Sequence, residues 1–293
     1  MSAGSLRVEA HAKVNLTLEI LSKRSDGFHN LVSVIQTIDL HDEIVLTPAE
    51  DIAITCDEPS LNTHDNLAYV AATALKKASG ASGGVHIDVQ KSIPVAAGLG
   101  GGSSDAAAVL RGLNELWGCG LGVDALAALG AEIGSDVPYL IRGGTALVQG
   151  RGEDVSALPN AALEWLVLLT PEVKLKNKTA ALFSRLSAAN YTRGALSHKL
   201  AGRTRGKSDM PAEFLFNGFD AIAADAFPRF AEYRDGFAGI GAQNVVLSGA
   251  GPTMFAVPPS REMGVAWELL LKNRGWDARL VRPWWPSPSG QAE

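Results

Sequence analysis

Pro94-Val95-Ala96-Ala97-Gly98-Leu99-Gly100-Gly101-Gly102-Ser103-Ser104-Asp105 is the stretch on which the reading of this chain turns. Four of the five residues from Gly98 to Gly102 are glycine. Glycine has no Cβ, so this backbone can turn sharply and bring its N–H groups close to a ligand. An alternating apolar run, Val85 to Gln90, precedes the stretch and reads as a strand. An alanine-rich run follows it, with Ala106, Val109, Leu110, Leu113 and Trp117 on one stripe and Gly118 as a C-terminal stop. The spacing predicts a helix that begins at or just after Ser104. Its first N–H groups have no partner inside the helix. A glycine nest aimed at a helix N-terminus is an anion site, most often for phosphate.

Three kinds of glycine loop compete for this pattern. A Walker A loop ends in Gly-Lys-Ser/Thr, and here Gly102-Ser103-Ser104 carries no lysine. A Rossmann loop opens a compact βαβ unit, and here a second helical pattern, Val123 to Ile133, follows the first. That weakens the reading of a dinucleotide-dependent oxidoreductase. A protein-kinase glycine loop lies in a strand hairpin and does not lead into a helix. Asp105, next to the loop, would repel phosphate. It reads as a helix-capping carboxylate turned away from the ligand.

The bulk numbers restrict the partners. The chain has 293 residues, 46% hydrophobic and 19% charged, with a net charge of −5. That length can bury a substantial core. An acidic chain lacks the basic footprint that nucleic acid or an anionic membrane requires, so neither is an expected partner. Cys56 and Cys119 lie far apart with no metal-like spacing and read as reduced thiols. His11, His41, His64, His86 and His198 show no ligand spacing either, so structural zinc is not expected. Met1 to Arg7 lacks the basic-then-apolar run of a signal peptide, and the apolar run at Leu166–Leu169 is too short to span a bilayer. A cytoplasmic protein is the expectation.

Along the chain, Leu6 to Leu21 reads as a long strand, with short strands near Glu43–Leu46, Ile52–Cys56, Gly144–Gln149, Trp165–Thr170, Val245–Leu247 and Met254–Val257. Helices are expected from Asp65-Asn66 to Gly80, over Thr179–Ala188 and Pro211–Ala224, and from Ser260 to about Asn273. Asn190–Asp209 is polar, basic and poor in periodicity, and reads as an exposed excursion or a mobile loop. Strands and helices mix without a βαβ rhythm, which predicts an α+β fold in two lobes. The expected division is 1–155, 156–283, and a proline-rich tail over 284–293.

Two further stretches complete a pattern with the glycine loop. Ala12-Lys13-Val14-Asn15-Leu16 precedes it, and Leu247-Ser248-Gly249-Ala250-Gly251-Pro252-Thr253 follows it. In that order the three resemble the motifs of the small-molecule kinases that include galactokinase, homoserine kinase, mevalonate kinase and phosphomevalonate kinase. Asp26-Gly27-Phe28-His29, Asp65-Asn66-Leu67 and Gly134-Ser135-Asp136-Val137-Pro138 narrow the resemblance to the 4-diphosphocytidyl-2-C-methyl-D-erythritol kinase family within them. It covers most of residues 6 to 282.

The resemblance implies a two-lobed kinase fold with the active site in the cleft between lobes. It implies transfer of the γ-phosphoryl group of ATP to a hydroxyl of a small molecule carrying a cytidine diphosphate moiety, in non-mevalonate isoprenoid synthesis. Pro94, Val95, Ala96, Ala97, Gly98, Leu99, Gly100, Gly101, Gly102, Ser103 and Ser104 would bind ATP, with Mg²⁺ among the phosphates. Asp136, on a stiff turn, would take the hydroxyl proton, although such aspartates are commonly plain turn-formers. Lys13 would neutralise the phosphoryl group and keep Asp136 ionised. On β alternation Lys13, Asn15 and Thr17 share a face, which could equally be a solvated polar face.

Asn15 would bond the acceptor hydroxyl region. Gly249 and Gly251 would line the substrate. His29 would read the cytosine edge, with Phe28 and Phe183 stacking on the base and Thr179 nearby. The family carries tyrosine where this chain has Phe28, so a hydroxyl hydrogen bond is lost there. A monomer or weak homodimer is implied. Two rivals stay open at this level: a sibling kinase with another alcohol acceptor, and a non-catalytic ligand sensor on the same fold.

Overall fold

The structure is a computed structural model that describes residues 4–173 and 178–286. The strands are β1 (Leu6–Lys23), β2 (His29–Ala49), β3 (Ile52–Cys56), β4 (Gly84–Gln90), β5 (Thr145–Gly150), β6 (Asp154–Leu158), β7 (Leu166–Thr170), β8 (Phe216–Asn217), β9 (Val246–Leu247), β10 (Met254–Ala256) and β11 (Asp277–Val281). The helices are α1 (Leu67–Ser79), α2 (Gly101–Leu116), α3 (Val123–Ile133), α4 (Val137–Arg142), α5 (Lys178–Phe183), α6 (Ala195–Arg205), α7 (Asp220–Ala226), α8 (Phe230–Ala238) and α9 (Arg261–Lys272). Strands and helices follow one another irregularly, which is the α+β arrangement expected from the sequence. Among the described residues no helix is long and apolar enough to cross a membrane.

The chain forms two compact units that interleave along the sequence. The first takes residues 1–12, 40–95 and 100–143. In it β3 pairs parallel with β4, and the second half of β2 pairs antiparallel with β4 from Glu43↔Gln90 to Ala49↔Gly84. Leu46, Val85 and Ile87 from these strands are fully buried. So are Ala71, Ala72 and Leu75 of α1 and Ala106 to Leu110 of α2. Small residues on α1 and α2 let the two helices lie close.

Asn66 caps α1 by accepting the Ala68 N–H, and Gly80 ends it in the left-handed region.

The second unit takes residues 13–39, 96–99 and 144–293. Here the first half of β2 pairs with β5, β5 with β6, and β1 with β8. A separate four-stranded sheet runs β11-β7-β10-β9. Its apolar core joins Val167, Leu169, Leu247, Met254 and Ala278 of that sheet to Phe219, Phe227, Phe230, Phe237 and Trp267 of the helices.

Several local expectations need correction. Helix α2 starts at Gly101, three residues before Ser104, with Gly100 as its left-handed N-cap. Glycine disfavours a helix by about 1 kcal/mol per residue, but the fully buried run Ala106–Leu110 carries the first turn along. Residues 190–209 are not an open loop, because α6 occupies their middle. Its Ser197, Leu200, Ala201 and Thr204 are buried at helical spacing, and the Ser197 N–H donates to Glu19 Oε2. The run Pro211–Ala224 is not one helix. It divides into a single 3₁₀ turn, β8 and α7, because Asn217 accepts the Phe219 N–H and bends the chain. The helix expected over Thr179–Ala188 ends at Phe183.

Residues 284–286 lie along β2, where the Trp284 N–H donates to the Thr37 carbonyl and Thr37 Oγ1 donates to the Trp284 carbonyl. The rest of the 284–293 segment lies outside the described residues.

Candidate active site

Alternation along β1 puts Lys13, Asn15 and Thr17 on one face, and that face is not solvated. Lys13 and Asn15 are each 4% exposed and Thr17 is fully buried. A lysine buried to that degree needs partners to offset its desolvation. Lys13 Nζ donates to Asn15 Oδ1 at 2.6 Å, Asn15 Nδ2 donates to Ser33 Oγ at 2.8 Å, and Ser33 Oγ donates to the Thr17 carbonyl at 2.5 Å. Asn15 therefore spends a donor and an acceptor on fixing the ammonium group. Ser33 was not legible as a site residue, because only the pairing of β1 with β2 brings it under Asn15.

The first half of the glycine loop closes on the same spot. The Lys13 N–H donates to the Leu99 carbonyl, and Ser248 Oγ donates to the Gly98 carbonyl at 3.0 Å. The Thr253 N–H donates to the Ala97 carbonyl at 3.1 Å. Gly98 sits at φ +87, and a Cβ there would stand 2.3 Å from the Ser248 carbonyl oxygen. Gly249, at φ +53, is as restricted: a Cβ would meet Lys13 Nζ at 2.9 Å, the Gly98 carbonyl at 3.1 Å and Asn15 Oδ1 at 3.5 Å. Both positions need glycine for conformation and for space. Lys13, Asn15, Gly98 and Gly249 thus meet within the second unit although the sequence spreads them over most of its length.

The turn between β9 and β10 is held by a residue the sequence reading missed. Asn217 Nδ2 donates to the carbonyls of Leu247 and Gly249, at 2.9 and 2.8 Å. Asn217 is 1% exposed. Its only sequence signal is a polar residue inside a run, Pro211–Ala224, that reads as one helix.

In the first unit the loop becomes helix. Gly101, Gly102 and Ser103 occupy the first turn of α2, whose N–H groups have no acceptor within the helix. Ser104 differs. Its N–H already bonds the Gly100 carbonyl, and its hydroxyl donates to the His11 carbonyl at 2.5 Å. Asp105 is 2% exposed and faces Lys91, whose Nζ lies 2.7 Å from Asp105 Oδ2 and 2.5 Å from Asp42 Oδ2. It is turned inward and makes no cap, so the capping role expected of it is wrong. Burial pushes the Asp105 carboxyl up to about 7, with Asp42 adding to the rise and Lys91 opposing it. Asp42 Oδ1 also accepts the N–H groups of Ser92 and Ile93, at 2.6 and 2.8 Å. A Cβ on Gly101 would lie 3.4 Å from Lys91 Nζ. The triad therefore backs the glycine helix from below.

Asp136 occupies the N-cap position of α4, with Pro138 in the first turn. The Gly134-Ser135-Asp136 turn stands beside the start of α2, where a Cβ on Gly134 would be 3.5 Å from Ser103 Oγ. Lys13 belongs to the second unit and Asp136 to the first.

Two of the residues expected to hold the base, His29 and Phe183, lie side by side. The His29 ring is 5.0 Å from the Phe183 ring and 6.0 Å from Tyr191. Burial, aided by the Lys23 charge, lowers the His29 pKa below the ordinary histidine value, which favours the neutral ring. Phe28 is 53% exposed and carries the Arg151 guanidinium over its face at 5.0 Å. Its ring partner is thus Arg151, and Phe183 instead packs edge-on against Phe219 at 4.9 Å. Thr179 lies on the exposed side of α5.

The chain resembles known proteins over most of its length. Residues 66–144 match the GHMP kinases N-terminal domain. The chain is 42% identical to the 4-diphosphocytidyl-2-C-methyl-D-erythritol kinase of Dehalococcoides mccartyi (strain ATCC BAA-2266 / KCTC 15142 / 195), over 94% of this chain and 97% of that protein. It is also 42% identical to the enzyme of that name from Symbiobacterium thermophilum, over 94% and 99%. A crystal structure of 4-(cytidine 5'-diphospho)-2C-methyl-D-erythritol kinase superimposes with a TM-score of 0.80 at 29% identity, covering 94% of this chain and 98% of the other. Homoserine kinase from Cytophaga hutchinsonii, at 20% identity and a TM-score of 0.73, shares the fold. With motif order, fold and near full-length identity in agreement, the chain belongs to the 4-diphosphocytidyl-2-C-methyl-D-erythritol kinase family of GHMP kinases.

Proposed function

We propose that this protein transfers the γ-phosphoryl group of ATP to a hydroxyl of 4-diphosphocytidyl-2-C-methyl-D-erythritol, a step of non-mevalonate isoprenoid synthesis. The observation that carries the proposal is the meeting of Lys13 Nζ, Asn15 Oδ1, the Gly98 carbonyl and Gly249 around one point. A buried, pre-oriented ammonium group beside a glycine loop is what charge neutralisation on a transferring phosphoryl group demands.

In this reading the N–H groups of Gly101, Gly102 and Ser103 hold the phosphates at the tip of α2. Lys13 neutralises the equatorial oxygens, and Asn15 and Ser33 keep it in place. The substrate hydroxyl attacks phosphorus in line. Its oxygen bonds to phosphorus, the bond from phosphorus to the ADP oxygen breaks, and Asp136 accepts the hydroxyl proton. Mg²⁺ bound with ATP would neutralise charge on the phosphates. Oxygen donors suit it, and the chain offers the Asp136 carboxylate and the lone pairs of Ser104 Oγ, whose proton is given to the His11 carbonyl.

At the far end of the substrate a neutral His29 offers one donor and one acceptor to the cytosine edge. The exposed ring of Phe28 supplies a stacking face. A cytoplasmic location and a monomer or weak homodimer fit this activity.

The test is phosphorylation of the cytidyl substrate by purified protein with ATP, alongside mevalonate and homoserine as acceptors. Turnover of the cytidyl compound alone supports the proposal. Preference for either other alcohol refutes the assigned acceptor.

A further inference from the structure

We propose that Glu9, His11 and His41 bind one divalent transition-metal ion, best matched by Zn²⁺, at a site separate from the kinase residues. None of the three spacings in the sequence suggested a ligand set, because the set is built across two strands. Glu9 and His11 are two apart on β1 and share a face. His41 comes from β2, the strand that neighbours β1 in its sheet. All three lie in the first unit.

The ligand atoms lie within 4.8 Å of one another. His11 Nε2 is 3.1 Å from Glu9 Oε2, and His41 Nε2 is 3.6 Å from Glu9 Oε1. The two imidazole centroids are 5.1 Å apart. A tetrahedral Zn²⁺ with bonds of about 2.0–2.1 Å holds its ligand atoms about 3.3 Å apart. The two observed separations run to different oxygens of Glu9 and lie near that value, so a small turn of the carboxylate would bring one oxygen and both imidazoles around an ion.

Two imidazoles and one carboxylate are donor types that suit zinc, and the two nitrogen donors disfavour Mg²⁺ and Ca²⁺, hard cations that take oxygen ligands. Burial is graded across the site. His11 is 6% exposed, His41 is 30% exposed and Glu9 is 53% exposed on their side chains. The ion would have a buried anchor and an entry path from solvent, with a coordination position left for water. The His11 carbonyl also accepts the Ser104 hydroxyl. An ion on His11 therefore fixes the strand segment that holds the first turn of α2, which points to a stabilising role.

A rival accounts for the same geometry without metal: Glu9 pairs with the two imidazoles alone. Titration of the untagged, metal-stripped protein with Zn²⁺ in the absence of ATP separates the two. The proposal expects one Zn²⁺ per chain and a melting temperature raised by about 4 °C at a hundredfold excess over the dissociation constant. Co²⁺ should give the visible bands of a site with nitrogen ligands.

Both His41→Gln and Glu9→Gln replace partly exposed side chains, so both variants should fold with normal circular dichroism. Each should weaken Zn²⁺ at least about 10- to 100-fold, the range that loss of even an outer-shell partner reaches. Absence of saturable binding, affinity unchanged in both variants, or one Zn²⁺ shared by two chains would each overturn the proposal.

Discussion

Replacing Lys91 with methionine is the sharpest test of how the glycine helix is supported. Lys91 Nζ lies between the carboxylates of Asp42 and Asp105, which are 0% and 2% exposed. Methionine keeps most of the side-chain volume and removes the charge. Two buried carboxylates then face each other without a cation, and breaking a buried ion pair in this way costs about 3–5 kcal/mol. For 293 residues the entropy of unfolding is about 0.6 kcal/mol/K, so the melting temperature should fall by about 5–8 °C.

Adding Asp105→Asn to Lys91→Met should recover a large part of that loss. Asp42 keeps the N–H donors of Ser92 and Ile93, so one carboxylate alone is tolerable. The cycle is read by urea unfolding of wild type, both single variants and the double variant at pH 8.

The pH dependence has a definite sign. Asp105 titrates near 7 when folded, above the 3.8 of a free carboxyl. The folded state then holds a proton that the unfolded chain has already lost. The stabilisation from Asp105 is full below about pH 4 and is lost as pH rises through about 7. Asp105→Asn removes that slope, so the variant should gain on wild type steadily from pH 4 to pH 7. A Lys91→Met cost below about 1 kcal/mol, the range of a surface pair, would refute the reasoning. So would an Asp105→Asn variant that tracks wild type at every pH.

Further outcomes follow from the site. Asp136→Asn should lower kcat by at least ~10²-fold, since the proton acceptor is lost; near-normal turnover by steady-state kinetics would remove Asp136 from the mechanism. Gly98→Ala should abolish ATP binding in calorimetry, because its Cβ would stand 2.3 Å from a main-chain oxygen; wild-type affinity would show that the loop is not held as described. Phe28→Ala should weaken binding of the cytidyl substrate by about 1–3 kcal/mol, roughly 5- to 150-fold in KM, the value of one stacked base. An unchanged KM would exclude that ring from the substrate.

What the sequence revealed was mostly local. Asn66 and Gly80 mark the ends of α1, and Ser260 caps α9 by accepting the Met263 N–H, since caps are decided within a few residues. The strand run from Leu6 was evident from its alternation. Helix α6 was hidden because its apolar face is narrow and its polar face carries Arg203 and Arg205. The strand β8 is two residues long, below any periodic signal. Among the candidate site residues, Lys13, Gly98 and Gly249 were singled out by motif order. Ser33, Asn217 and the Lys91 triad were not, because each acts on residues far along the chain. The grouping of Glu9 with His41 failed to show for the same reason: neighbours across a sheet leave no mark in linear spacing.

The bond from Ser248 to the Gly98 carbonyl joins residues 150 positions apart. The Thr253 N–H grips the same loop at Ala97. A nascent chain halted before Val246 has already made every residue of Pro94–Ser104, yet lacks the turn that shapes their first half. Such a chain should be blind to nucleotide. Competence for ATP then arrives late in synthesis, with the C-terminal strands, and a partly made polypeptide emerging from the ribosome cannot use the ligand as a scaffold for its own folding.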